Sequence, residues 1–439
     1  LTHGKLGKVA ALGVALCATA TVFAPLASAA AHHKAVPAHK GPAVQISFWY
    51  GIGGQLGQDV QMLVKKFNAT HPGVHVTATY EGSYSGGGPE QQHLLAAIRA
   101  GNAPDIAQME VHSMPVFASA GRLLNLTRLM EKSAWDKPAD FLPGMLVSTN
   151  YKGAYYGVPF NRSVPVLMYN ETMFKKAHIA HPPATWAQVM ADAKILTHGK
   201  GRSKVWGFMP LVDWWPWEAS VWSGGGHIMN KSLTKATFAS AAGERVLNME
   251  EDLIKQGYAM VQTGPEYWDE TTEAFAHGQT AMDIDSPGDT GEVAGIVGHK
   301  FQWNEAMFPA DATRLVPPGG GNAVMLASIP KNHIAGAWTF IQWWTAPAQS
   351  ALWSELTGYV PVQKAVLSEP AFKTYLRLHP QYDAAIAELK YQHQPPQSPQ
   401  YLSLLQYVQN ALQGALDLGQ PINKSMLTAQ NQVNSELSG

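Results

Sequence analysis

Three tryptophans fall within four positions in Asp213-Trp214-Trp215-Pro216-Trp217, and Trp222-Ser223-Gly224-Gly225-Gly226 follows closely. Indole rings pack cores, and they also stack on sugar and polyol faces or on cations. Spread over neighbouring positions, these rings point in several directions, so one buried face does not absorb them all. The run reads either as core and interface packing or as a ligand platform. Glu110 is the second suggestive residue. It follows a short strand-like stretch, Asp105 to Met109, and so stands at a strand's carboxyl end, where open α/β sheets gather their ligand groups. A carboxylate there accepts hydrogen bonds from ligand hydroxyls.

Other chemistries lack their residues. The 17 histidines include no His-Glu-x-x-His and no paired Cys/His spacing, so neither a metal nor a cofactor is expected. No Gly-x-Ser-x-Gly and no Gly-x-x-x-x-Gly-Lys-Ser/Thr pattern occurs. Gly51-x-Gly53-Gly54-x-x-Gly57 comes near a dinucleotide-binding turn, but its third glycine is one position late and the next strand ends in Thr79-Tyr80 rather than an acid. It reads better as a turn that lets backbone approach something closely. Glu110 and Asp285 could serve as the carboxylate pair of a secreted glycan-acting enzyme, although 32 acids offer many such pairs. A formal net charge of −1, with 14% charged residues, provides no basic stripe for nucleic acid and no polybasic membrane patch.

The elements that must position these residues are legible. Lys5 and Lys8 precede an apolar stretch from about Val9 to Leu26, and Ala27-Ser28-Ala29 offers a cleavage site, so residues 1–29 read as a secretory signal peptide. Cys17, the sole cysteine, would leave with it, and no disulfide is expected. Residues 30–43 read as a flexible leader. The remainder is long enough for two domains at ~100–200 residues each. Val44 to Trp49 alternates like a strand, and Leu56, Val60, Leu63, Val64 and Phe67 then recur at helical spacing. Val74 to Tyr80 alternates again, Glu90 to Ala100 is helical up to Gly101, and Asp105 to Met109 is a third strand. This order predicts an α/β lobe with parallel pairing. Val164 to Tyr169 and Gln279 to Ile284 read as further strands. Thr185-Trp186-Ala187-Gln188 has capping-box form, and Ala335 to Trp344 and Leu404 to Leu418 are helical.

In combination these segments resemble the extracellular solute-binding proteins of carbohydrate-type ABC importers, and within them the glycerol-phosphate-binding branch. The resemblance rests on Val164-Pro165-Val166-Leu167-Met168-Tyr169-Asn170, Pro183-Ala184-Thr185-Trp186, and Phe275-Ala276-His277-Gly278-Gln279-Thr280-Ala281-Met282. Gly101-Asn102-Ala103-Pro104, Pro159-Phe160-Asn161 and Thr357-Gly358-Tyr359-x-Pro361 extend it. It implies a two-lobed α/β fold of the periplasmic-binding-protein type (type II), hinged around an interlobe cleft. Lobe one would comprise 44–157 and 283–328, and lobe two 158–282 and 329–439. It further implies an exported, monomeric, non-enzymatic receptor that binds glycerol-3-phosphate or a glycerophosphodiester and hands it to a membrane permease. A neutral sugar or oligosaccharide is the alternative ligand.

Residue by residue, the resemblance places Tyr84 and Glu110 on glycerol hydroxyls, Ser163 and Ser286 beside the phosphate, and Tyr359 in contact with it. Gly320 or Gly321 would supply a loop amide, and Trp217 with its neighbour Trp214 an aromatic platform. The position aligned with the branch's phosphate-binding arginine is Gln406, and an amide offers neither fixed charge nor a bidentate fork.

Overall fold

Alternating apolar residues build the first sheet. The computed structural model describes residues 42–84, 88–264 and 266–438. The expected signal peptide, Cys17 and nearly all of the leader lie outside the described residues. Strand β1 (Val44–Tyr50) leads through helix α1 (Gly54–Thr70) to β2 (Val74–Tyr80), which pairs with it in parallel from Val44↔Val74 to Tyr50↔Tyr80. Helix α2 (Pro89–Ala100) stops at Gly101, whose φ of +75° is left-handed and whose amide reaches back to Ala97 and Ile98. β3 (Ile106–Glu110), buried throughout, then pairs in parallel with β1.

Further along come β4 (Gly157–Ser163), β5 (Val166–Tyr169), helix α3 (Trp186–Leu196), α4 (Trp214–Ser223), α5 (Ala241–Lys255) and α6 (Tyr267–Ala276). The capping box opens α3 as expected: the Gln188 amide donates to Thr185 Oγ1 at 3.3 Å and the Thr185 amide to Gln188 Oε1 at 3.2 Å. β6 (Met282–Asp285), α7 (Thr290–Val297), β7 (Asn304–Met307), β8 (Gly319–Met325), α8 (Ile334–Thr345) and α9 (Pro347–Thr357) precede the terminal pair α10 (Tyr401–Leu416) and α11 (Ile422–Ser438). Among the described residues, no helix is long and apolar enough to cross a membrane.

Strand pairing redraws the expected lobe boundaries. One sheet runs β2-β1-β3-β8-β4, with β8 antiparallel to both neighbours, and the other runs β6-β5-β7. Residues 283–328 therefore do not return to lobe one as a block: β6 and β7 both pair antiparallel with β5, and only β8 rejoins the first sheet. The reason is that β5 is fully buried and needs hydrogen-bond partners on both edges. β4, expected in lobe two, likewise belongs to the first sheet, and α8 packs on α1, β1 and β4.

The tryptophan run is absorbed by a second core. Trp217, Trp222 and Phe238 pack with Leu404, Leu405, Val408 and Leu412 of α10 and Met426 and Val433 of α11. Each such burial contributes ~1.5–3 kcal/mol, enough to hold α4 against the terminal helices.

Arg162 locks the junction of β4 and β8. Register shifts at Gly321/Asn322, and the fully buried guanidinium donates to the carbonyl of Gly321 (2.7 Å), to Ser148 Oγ (3.0 Å) and to Asn322 Oδ1. Removing the guanidinium leaves buried acceptors unpaired at ~1–3 kcal/mol each. Arg162→Met is accordingly expected to lower the unfolding free energy by about 3 kcal/mol in urea titration.

Candidate ligand-binding site

The cavity forms where backbone comes closest. Gly51, just past β1, receives the Tyr84 amide on its carbonyl at 3.1 Å, and a Cβ there would press on Tyr84. On the opposite wall, a Cβ on Gly319 would collide with Ser163 Oγ and the Trp215 ring. One on Gly320, where φ is +91°, would strike the Asn161 carbonyl. Only glycine fits both positions. The two walls face a cleft that is open at its mouth, the concave form that small-molecule sites take.

Seven of the ten expected residues line this cavity: Tyr84, Glu110, Ser163, Trp214, Ser286, Gly320 and Tyr359. Three do not. Gly321 sits behind the wall, its amide donating to Asn161 Oδ1 at 3.0 Å and its carbonyl bound by Arg162. Trp217 is core: its indole N–H donates to the Gly243 carbonyl at 2.9 Å and its ring meets Phe238 edge-on at 5.5 Å. In an all-buried helix the third ring of the run faces the second core, so Trp217 is no platform. Gln406 is exposed on α10. The buried amide of that helix is Gln409, one turn on, and it holds the start of α4 through the Val212 carbonyl (2.8 Å) and the Trp214 amide (3.1 Å).

The aromatic wall is built from one tryptophan of the run and one that the sequence did not single out. Trp215 and Trp268 line the cavity with ring centroids 5.9 Å apart and planes tilted by 31°. Trp215 is oriented by its bond to the Pro318 carbonyl (3.2 Å), and Trp268 by its bond to Asp289 Oδ2 (3.0 Å). Trp215 belongs to the visible run; Trp268 stands alone in Tyr267-Trp268-Asp269, where no motif marks it. Trp214 also lines the cavity, and its indole N–H is buried with no hydrogen-bond partner among the described residues.

Electrostatically the wall is one-sided. Glu110, Glu266, Asp269, Asp289 and Glu292 all line it, and among the described residues no Lys, Arg or His does. Several of these acids are reluctant to ionise. Burial, then the nearby Asp285 carboxylate, holds Asp289 well above the usual carboxylate range. Burial and the acids Asp289, Asp269 and Glu273 push Glu292 up to about 7. Asp285 itself does not line the cavity; it accepts from Thr272 Oγ1 (2.9 Å) and from the Ser286 amide (2.7 Å). The pair Glu110 and Asp285 therefore does not face one space as a glycosidase pair must.

The sequence profile described as bacterial extracellular solute-binding protein matches residues 62–380. The chain belongs to this family. Its members are extracellular solute-binding proteins. The sn-glycerol-3-phosphate-binding periplasmic protein UgpB of Escherichia coli (strain K12) is 29% identical over 382 residues, 83% of this chain and 84% of that protein. Two solved structures share the two-lobed fold at 23% identity. UgpB from Mycobacterium tuberculosis in complex with glycerophosphocholine has a TM-score of 0.78, with 91% of this chain and 99% of that one covered. A solute-binding protein from Thermotoga lettingae bound with α-D-tagatose has a TM-score of 0.77, with 90% and 100% covered.

In a solute-binding protein, core and cleft aromatics separate under mutation. Trp217→Ala is expected to lose ~3–5 kcal/mol of stability through its cavity in the second core, with ligand affinity nearly unchanged when measured well below the melting transition. Trp268→Ala should leave the unfolding free energy within ~1.5 kcal/mol and weaken binding. Equal effects of both variants on affinity would show that the aromatic wall is misplaced.

Proposed function

We propose that this importer receptor takes a glycerophosphodiester whose second alcohol carries a cation, with glycerophosphocholine as the representative ligand. The observation that carries the reading is the composition of the wall: tilted indoles beside carboxylates, and no cationic side chain. A quaternary ammonium gains from the ring faces and from the acids together, at ~0.5–2 kcal/mol for each cation–π contact. The diester's single negative charge then falls to neutral donors. Ser163, Ser286, Tyr84, Tyr359 and the Gly320 amide supply these. Glycerol-3-phosphate presents a second charge to the same donors without a cation to offset the acids. The bound ligands of the Mycobacterium tuberculosis and Escherichia coli relatives bracket these two cases.

A neutral sugar is the second reading, supported by the tilted Trp215 and Trp268 faces, against which a pyranose can stack. Titration calorimetry at pH 7.5 separates the readings. Glycerophosphocholine should bind, glycerol-3-phosphate at least tenfold more weakly, and maltose without heat. Tight maltose binding without diester binding would replace the first reading by the second. The pH profile is a further check. Glu292, with its pKa raised to about 7, is neutral below that value and anionic above it, so affinity for a zwitterionic diester whose ammonium rests against this acid should rise between pH 6 and 8. Binding of a neutral sugar should not follow this rise.

A further inference from the structure

Behind Glu110 lies a buried charge cluster whose His112, Glu218 and Tyr401 are outside the cavity lining. His112, 2% exposed, follows β3 and places Nδ1 2.6 Å from Glu110 Oε1 and Nε2 3.2 Å from Glu218 Oε2. Glu110 Oε2 is occupied by the amides of His112 (2.8 Å) and Ser113 (3.1 Å) and by Ser113 Oγ (3.2 Å). Glu218, on α4, also accepts from the Tyr401 hydroxyl of α10. The imidazole is sandwiched by rings of the same two helices, edge-on to Trp214 at 4.6 Å and stacked on Tyr401 at 5.7 Å. Glu110 and His112 belong to the first sheet, whereas Glu218, Trp214 and Tyr401 belong to the helices of the second core. The cluster thus bridges the two halves directly behind the cavity wall.

Its charge follows from its two carboxylate neighbours. Nδ1 is hydrogen-bonded to Glu110, and Nε2 lies at ion-pair distance from Glu218 Oε2 without a formed hydrogen bond, so an imidazolium gains from both acids. Burial by itself would lower the His112 pKa, but Glu110 and Glu218 together outweigh it and push the value up to about 9. Three titratable groups face the ring: Glu110 from β3, Glu218 from α4 and Tyr401 from α10. Arg162 of β4 and Tyr84 act on it only through Glu110.

We propose that His112 is a positioning residue: shared as an imidazolium between Glu110 and Glu218, it fixes the Glu110 carboxylate at the cavity wall and latches the first sheet to α4 and α10. Ligand capture and closure of the lobes then depend on its proton. The latch rests on this cleft being the ligand site, and it holds whichever ligand fills it. Its contribution is complete below the ordinary histidine value of 6.5 and is lost as pH rises through about 9.

The test uses the full chain, His112→Gln and Glu218→Gln, with glycerophosphocholine as calorimetric probe and small-angle scattering of the ligand-free protein as a ligand-independent arm. Wild-type affinity should fall about tenfold or more between pH 7.5 and 9.5, with the radius of gyration rising over the same interval. His112→Gln, which keeps Arg162 and Tyr401, should be weak and expanded already at pH 7.5 and flat with pH. Glu218→Gln should be intermediate, and it serves if the histidine variant does not fold. A His112→Gln protein with the wild-type pH profile and radius overturns the latch. No heat from the wild type at any pH rejects the proposed ligand alone, while the scattering arm still decides on His112.

Discussion

A ligand cavity walled by carboxylates must be stabilised from behind, and the counter-charge lies one layer back. His112 and Arg162 both act electrostatically on Glu110, and both are buried and neither lines the cavity. His112 spends its charge on Glu110 and Glu218. Arg162 spends its hydrogen bonds on backbone carbonyls at the β4–β8 bulge. Asp289, by contrast, is held toward the protonated form by burial and then by the Asp285 carboxylate. Unpaired buried charge is the costliest feature a core can hold. This arrangement lets a receptor show a ligand an acidic face without paying that penalty in full.

The same constraint explains the fold around the cavity. Glu110 reaches the wall because β3 is an interior strand, with β1 on one side and β8 on the other. Glu218 reaches His112 because α4 is buried on every side, pressed between α5 and the terminal helices. Helix α4 is itself anchored by Asp213 at its first turn, which accepts from the Trp215 amide at 2.8 Å, and by Gln409 of α10. The position of one carboxylate thus depends on contacts between residues nearly 200 positions apart in the chain.

Local features were legible in the sequence for that reason, and long-range ones were not. Strands β1 and β2, the left-handed stop at Gly101 and the Thr185 capping box follow from period and chemistry within a few residues, and the structure has them where the pattern places them. The membership of β6 and β7 was misread because antiparallel partnership with β5 leaves no mark on either strand alone. At the cavity, Glu110 was legible from its place at a strand end. Trp217 was misassigned because adjacent indoles on a helix divide between two environments, and only the packing of Phe238 and α10 says which ring faces which. Gln406 failed for a similar reason: a helix presents a new face with each residue, so a three-residue displacement separates an exposed amide from the buried Gln409.

That displacement also bears on how an anion would be held in this cleft. An arginine at a cleft wall supplies fixed charge in a bidentate fork, and replacing it by amide chemistry forfeits both. At neither position of α10 does the amide reach the cavity: Gln406 faces solvent and Gln409 is committed to α4. Recognition of any anion must therefore come from hydroxyls and amides whose dipoles are fixed by the fold, as Gly319 and Gly320 fix the close approach of β8 to Ser163. Fixed dipoles stabilise one delocalised negative charge far better than two. A ligand that brings its own cation to the carboxylates of the wall and a single negative charge to its hydroxyls and amides satisfies both kinds of group at once.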